Sequence, residues 1–131
     1  MSCAAPYNFI ICQGATLDFT IQYTDSAGLP IDLRNYSAKM QLRDAPSASS
    51  TVLYLTLSSS LKSDGTGLNF SGSAATGFVS PISGNIGIYI SAVTSSVLNF
   101  NKADYDLFIY SGSFADKILE GKIHLDKRVT G

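Results

Sequence analysis

The sequence has little of the chemistry that metal and catalytic sites use. Its 131 residues include no tryptophan, one histidine and two cysteines. A zinc site needs three or four Cys and His ligands at suitable spacing, which this set cannot supply. Cys3 and Cys12 are too few for a disulfide framework, so we expect two thiols, with Cys12 packed as a small apolar residue. The sequence predicts no metal and no cofactor.

Charged residues are also scarce, and neither sign is in excess. They make up 15% of the chain, against about 25% in typical soluble domains. Nine basic and ten acidic residues leave a net charge of −1. Such a surface cannot neutralise a run of phosphates or be drawn to an anionic membrane. We therefore expect no nucleic-acid or membrane partner, and a surface that is rich in small polar residues or covered by another protein.

Long apolar runs are missing as well. Asn8, Gln13 and Asp18 interrupt the most apolar early region, which falls far short of the ~20 residues of a membrane span. Residues 1–6 have neither a basic region nor an apolar core, so they do not resemble a secretory signal peptide. We expect the chain to be made and folded in cytoplasm.

The chain does contain repeated alternation of apolar and polar residues. Leu17, Phe19 and Ile21 share one side of a segment whose other side is polar. Similar alternation follows at residues 36–43, 53–57, 86–90, 105–110 and 117–126. A period of two is typical of half-buried strands, and it places Met40 and Ile88 in the core.

Together these segments predict an all-β fold. About seven or eight short strands, with at most one short helix after Ser91 or Thr94, favour an antiparallel β-sandwich of the immunoglobulin-like type. A small barrel or jelly roll is the alternative. We expect a flexible N-terminal arm at 1–8, a single β-sandwich domain at 9–126 and a C-terminal tail at 127–131.

Few side chains are candidates for catalysis. The single histidine, His124, falls on the polar side of the last strand, where we expect it to be solvated. Asp64 opens a DGTG sequence that fits a turn better than a calcium loop, since Ala75 stands where an EF-hand needs glutamate. Asp104 and Asp106 share one face of a strand, as an acid/base pair would. No second acidic pair lies near them in sequence, and we predict that the chain is not an enzyme.

The aromatic residues are better candidates for binding. Tyr54, Tyr89 and Tyr110 fall on or near outward positions of their strands. Rings at such positions stack on sugars or build protein interfaces, although packing at a core or edge is the other common role of a strand tyrosine.

A succession of short motifs runs through nearly the whole chain. They are FIICQG at 9–14, DSAG at 25–28, PIDL at 30–33, YSAKMQLR at 36–43, GNIGI at 84–88, a crossover at 94–98, YDL at 105–107, LEGK at 119–122 and VT at 129–130. In this order they resemble the small immunoglobulin-like β-sandwich proteins of tailed-bacteriophage virions, including the type at the N-terminus of upper baseplate proteins.

The resemblance implies a non-enzymatic structural virion protein. Such a protein joins tail, baseplate or neck components, in several copies of a symmetric assembly, after synthesis in the host cytoplasm. We expect the contacts to come from sheet edges, from Pro6 and Tyr7 of the arm, and from the serine-rich loops at 44–50 and 58–76. A capsid decoration protein on the head exterior is one alternative, and a carbohydrate-binding or host-adhesion module that uses Tyr54, Tyr89 or Tyr110 is another.

Overall fold

The described part of the structure, a computed structural model, comprises residues 5–25, 27–44, 52–72 and 81–129. Within these ranges the chain forms nine strands, one 3-10 turn (Pro81–Ser83) and one short helix, α1 (Ala92–Ser96). The strands are β1 (Ala5–Pro6), β2 (Phe9–Cys12), β3 (Leu17–Gln22), β4 (Ser37–Arg43), β5 (Leu53–Ser58), β6 (Gly67–Asn69), β7 (Asn85–Ile90), β8 (Lys102–Ser111) and β9 (Phe114–Asp126). The predicted all-β sandwich with one short helix is confirmed.

The strands form two sheets. The larger has the order β1-β9-β8-β4-β5, with β2 also paired to β9, and the smaller has the order β3-β7-β6. All pairings are antiparallel except those of β1 and β2, which run parallel to β9. The sequence had predicted an antiparallel sandwich. The parallel pairings of β1 and β2 with β9 correct this part of the prediction. The immunoglobulin-type topology stays a prediction.

The core lies where the inward side chains of the two sheets meet. Every second residue of β8 is buried, from Ala103 to Ile109, and β4 and β7 contribute in the same way. Met40 and Ile88 are completely inaccessible to solvent, as their place in the alternation predicted. Aliphatic side chains dominate this core, so apolar burial is its main source of stability.

Residues 5–8 lie against β9 of their own chain, whereas the sequence predicted a flexible arm over residues 1–8. The Tyr7 N–H donates to the Glu120 carbonyl at 2.8 Å, next to the parallel β1 pairing. Gly121 makes room for this approach, because a Cβ there would lie 2.2 Å from the Tyr7 carbonyl oxygen. Residues 1–4 lie outside the described residues.

Cys12 is exposed rather than packed in the core. Its neighbour Ile11 is completely buried, and successive side chains of a strand point to opposite sides, so Cys12 faces outward. Cys3 lies outside the described residues. His124 is exposed on β9, as predicted.

The helix α1 is fixed at both ends of its single turn. Ser91 is the N-cap, and its hydroxyl accepts from the Thr94 N–H at 3.1 Å. The buried Ser95 hydroxyl donates to the Ala15 carbonyl and accepts from the Gly14 N–H. Among the described residues no helix is long and apolar enough to cross a membrane.

Candidate functional site

The outer face of the larger sheet carries a shallow depression of about 580 Å³. We call it the sheet-face groove. Outward side chains of three adjacent strands line it, with Pro6 and Asn8 on the far side of β9. These side chains are Lys39, Gln41 and Arg43 of β4, Asp104, Asp106, Phe108 and Tyr110 of β8, and Lys117, Glu120 and Lys122 of β9.

Two aromatic rings occupy part of this groove. Phe108 and Tyr110 are successive outward residues of β8, with ring centroids 6.0 Å apart and planes inclined by 17°. Both side chains are half-buried. They form a pair of nearly parallel rings at the surface of the sheet.

Most charged groups of the groove are engaged with one another. Lys122 Nζ lies 2.7 Å from Asp104 Oδ1, and Lys117 Nζ lies 2.6 Å from Glu120 Oε1. Between these pairs is Asp106, whose register partners are Gln41 and Glu120. The groove therefore offers many donors and acceptors but little excess charge.

Asp106 differs from the other carboxylates of the groove. Burial raises its pKa above the ordinary value, and the nearby Glu120 adds to this effect, while Lys117 and Arg43 oppose it. Asp104, the other member of the predicted pair, is instead ion-paired with Lys122. The two carboxylates thus share one face, as predicted, but have different surroundings.

A second surface, which we call the α1 surface, lies between the helix and the edge strand β5. Val93 and Val97 are 75% and 76% exposed, and Leu53 is 45% exposed. Tyr54 and Leu98 also line this depression. The two valines stand four residues apart on one helical turn and so share a face. Exposed apolar side chains thus lie beside a sheet edge, and the polar residues Lys62, Thr94 and Asn99 line the same depression.

Tyr54 and Tyr89 have packing partners. The ring of Tyr54 stacks on the buried Phe100 at 4.6 Å, so the tyrosine supports the α1 surface from below. Tyr89 lies on the smaller sheet, where its ring approaches Gly65. Neither tyrosine lies in the sheet-face groove with Tyr110.

Pro6 and Tyr7, the two arm residues, have side chains in different surroundings. Pro6 lines the sheet-face groove, whereas Tyr7 contacts Phe9 and Phe19 with ring centroids 5.9 Å away in each case. The Tyr105 hydroxyl donates to the Tyr7 carbonyl. The structure thus brings together Pro6 and Tyr110 of the five predicted interface residues, and their role in an interface stays a prediction.

Asp64 links the turn before β6 to α1. Its carboxylate accepts from the Ser91 hydroxyl at 2.7 Å, the Thr94 hydroxyl at 2.9 Å and the Thr66 N–H at 2.9 Å. These donors hold its pKa well below the ordinary value of 3.8, the Ser91 hydroxyl contributing most. The DGTG sequence is therefore a turn joined to a helix cap. Within the described ranges, no group of three or more His, Cys, Asp or Glu is placed to hold a metal ion.

The sequence reasoning missed several residues of these surfaces. Phe108 follows the same outward alternation as Asp106 and Tyr110, so the period of β8 was a usable signal for it. Val93 and Val97 carried a weaker signal, because an apolar pair on one short helical turn is equally typical of a core contact. The serine-rich loops at 44–50 and 58–76 are described only in part, since residues 45–51 and 73–80 lie outside the described residues.

No protein-family model matches this chain, and no curated protein matches its sequence. The function proposed below therefore rests on the order of the sequence motifs and on the two surfaces described above, the sheet-face groove and the α1 surface.

Proposed function

We propose that the chain is a non-enzymatic structural protein of a tailed-phage virion, which joins tail, baseplate or neck components. The order of its motifs supports this class. The exposed apolar pair Val93 and Val97, beside the edge strand β5, supports docking to another protein.

The α1 surface has the properties of a docking site. About three quarters of the surface of each valine is exposed to water, and burying apolar area in an interface is favourable in proportion to that area. The partner of this surface is a neighbouring virion protein, whose own apolar side chains cover Val93 and Val97.

The adjacent strand can extend the contact. β5 pairs with β4 on one side and ends the larger sheet on the other. An edge strand is a template for an added strand of a partner, with side-chain pockets giving specificity. A modest contact of this kind becomes strong when it is repeated by the symmetry of a particle.

The test compares phage particles assembled with the wild-type chain and phage particles assembled with the double variant Val93→Asp/Val97→Asp. Quantitative mass spectrometry should find several copies of the wild-type chain per particle. The variant should be lost from the particles, because two charges would be buried at the contact. The matched control is Val129→Asp, since Val129 is 100% exposed and does not line the α1 surface. Absence of the wild-type chain from particles would contradict the proposal.

The position of the copies distinguishes the two virion locations. A tail, baseplate or neck subunit is found in tails purified away from heads. A capsid decoration protein is found on heads and requires the head lattice for its assembly.

A further inference from the structure

We propose that the sheet-face groove binds a neutral oligosaccharide. This site is additional to the proposed docking function, because its lining residues differ from those of the α1 surface.

The position of the groove excludes recognition by strand addition. β8 forms its floor and is hydrogen-bonded to β4 on one side and to β9 on the other. The backbone groups of a central strand are consumed by these two ladders, so a peptide cannot pair with it. Any ligand here is recognised by side chains.

The charges of the groove suit a ligand with hydroxyl groups and no net charge. Four cations and three carboxylates line it, and two pairs are already in ion contact at 2.6 and 2.7 Å. A phosphate-bearing ligand would meet the carboxylates as well as the lysines. A sugar hydroxyl both donates and accepts, and adjacent cationic donors and anionic acceptors satisfy both functions.

The two rings supply the apolar part of such a site. Pyranose rings present C–H faces that pack on aromatic rings, and Phe108 and Tyr110 are nearly parallel. From Asp104 to Tyr110 the outward side of β8 extends for about 20 Å. The volume of about 580 Å³ falls in the range of ligand pockets. The groove thus has space for several sugar units along the strand.

Asp106 is the expected centre of polar recognition. It lies between the rings and the Asp104–Lys122 pair on the same outward side of β8, with Gln41 and Glu120 beside it. Its partly buried carboxylate accepts hydrogen bonds from sugar hydroxyls.

The experiment is calorimetric titration of the intact chain with maltohexaose, cellohexaose, mannohexaose, galactohexaose and chitohexaose. We expect at least one of them to bind. Tyr110→Ala and Asp106→Ala should each weaken that binding by about tenfold or more, the loss of one stacking or charged hydrogen-bond contact. Tyr110→Phe should retain most of the affinity, because it keeps the ring.

Two controls separate the groove from other parts of the chain. Tyr89→Ala removes an outward tyrosine of the other sheet and should bind as the wild type does. Val93→Asp/Val97→Asp should also bind normally, so failure of the docking proposal would not affect this result. Circular dichroism checks that each variant is folded.

Two results would overturn the proposal. One is no heat of binding with any of the five oligosaccharides at millimolar concentration. The other is binding that folded Tyr110→Ala and Asp106→Ala variants retain in full.

Discussion

At the scale of single residues, Asp64 shows how one carboxylate connects separate segments. It accepts hydrogen bonds from Ser91 and Thr94 of the helix cap and from the N–H of Thr66. Ser91 itself caps α1, so the same hydroxyl serves the helix and the turn before β6. Removing the carboxylate takes this acceptor from the Thr66 N–H, while the Ser91 and Thr94 hydroxyls keep the hydrogen bond between them at 3.1 Å.

We expect Asp64→Asn to lower the melting temperature, with a difference from the wild type that depends on pH. Because the folded state holds the pKa of Asp64 below 3.8, its stabilisation is complete above that value and is lost as the pH falls toward the lower folded pKa. Melting curves from about pH 6 to about pH 3 should show the two proteins converging.

The control is Asp126→Asn, which alters an exposed carboxylate of β9. A difference between Asp64→Asn and the wild type that stays constant over this pH range would show that the charge of Asp64 does not stabilise the fold.

At the scale of elements, Gly84 determines how the chain enters β7. It follows the 3-10 turn with a φ of +71°, and a Cβ there would lie 2.5 Å from the Tyr23 carbonyl oxygen. Its own carbonyl accepts from the Tyr23 N–H at 2.8 Å. The absence of a side chain thus lets the entry to β7 contact the end of β3 directly.

Gly84→Ala should therefore destabilise the fold more than Gly28→Ala. Gly28 has a similar φ of +84° with no atom within 4 Å of the Cβ position, so it reports the cost of the backbone conformation alone, about 1–2 kcal/mol. The clash at Gly84 should add a further 1–3 kcal/mol, roughly the usual cost of overpacking. Urea unfolding measures both values, and equal losses would contradict the close approach.

The alternation of residues predicted the central strands but not the strands at the N-terminus. β4 and β8 bury every second residue, and β7 buries its three isoleucines, which alternate in the sequence. Phe9–Cys12 is a run of apolar residues without alternation, and its partner β9 is more than 100 residues away in the chain. Local periodicity holds no information on such a pairing.

The start of β9 was missed for a related reason. The register with β8 shifts between Leu107 and Phe108, so Ile118 is an extra residue on the β9 side. A bulge reverses the inward and outward phase of the residues before it. The regular alternation begins at Lys117, so the sequence predicted the start of the strand there. In the structure β9 begins at Phe114.

The candidate site was predictable only in its parts. The period of β8 places Asp104, Asp106 and Tyr110 on one outward face, and the structure agrees. Their neighbours Gln41 and Glu120 come from β4 and β9, and they join the groove through strand order and register. A sequence pattern gives the face of each strand, whereas a site made by three strands also requires their alignment.

At the scale of the whole molecule, the two sheets depend on one shared core. Met40 of the larger sheet and Ile88 of the smaller one are both completely buried. Met40→Asp or Ile88→Asp places a carboxylate among aliphatic side chains, at a cost of about 5 kcal/mol or more, which is comparable with the stability of a small domain. We expect each variant to be unfolded by circular dichroism.

Lys39→Asp is the control for this prediction, because Lys39 precedes Met40 on the same strand but is exposed. A cooperative melting transition at the wild-type temperature for Met40→Asp would show that the strand phase differs from the one described.

The parallel pairing of β2 with β9 has a mechanical consequence for a chain that is pulled by its two ends. The two strands belong to opposite ends of the chain, and their residues match from Phe9 with Ile123 to Cys12 with Asp126. A pull that separates the two termini is directed along these strands. Such a force loads the hydrogen bonds between β2 and β9 in shear, so that they must break together rather than one after another. This orientation makes the pairing of β2 with β9 resistant to the force.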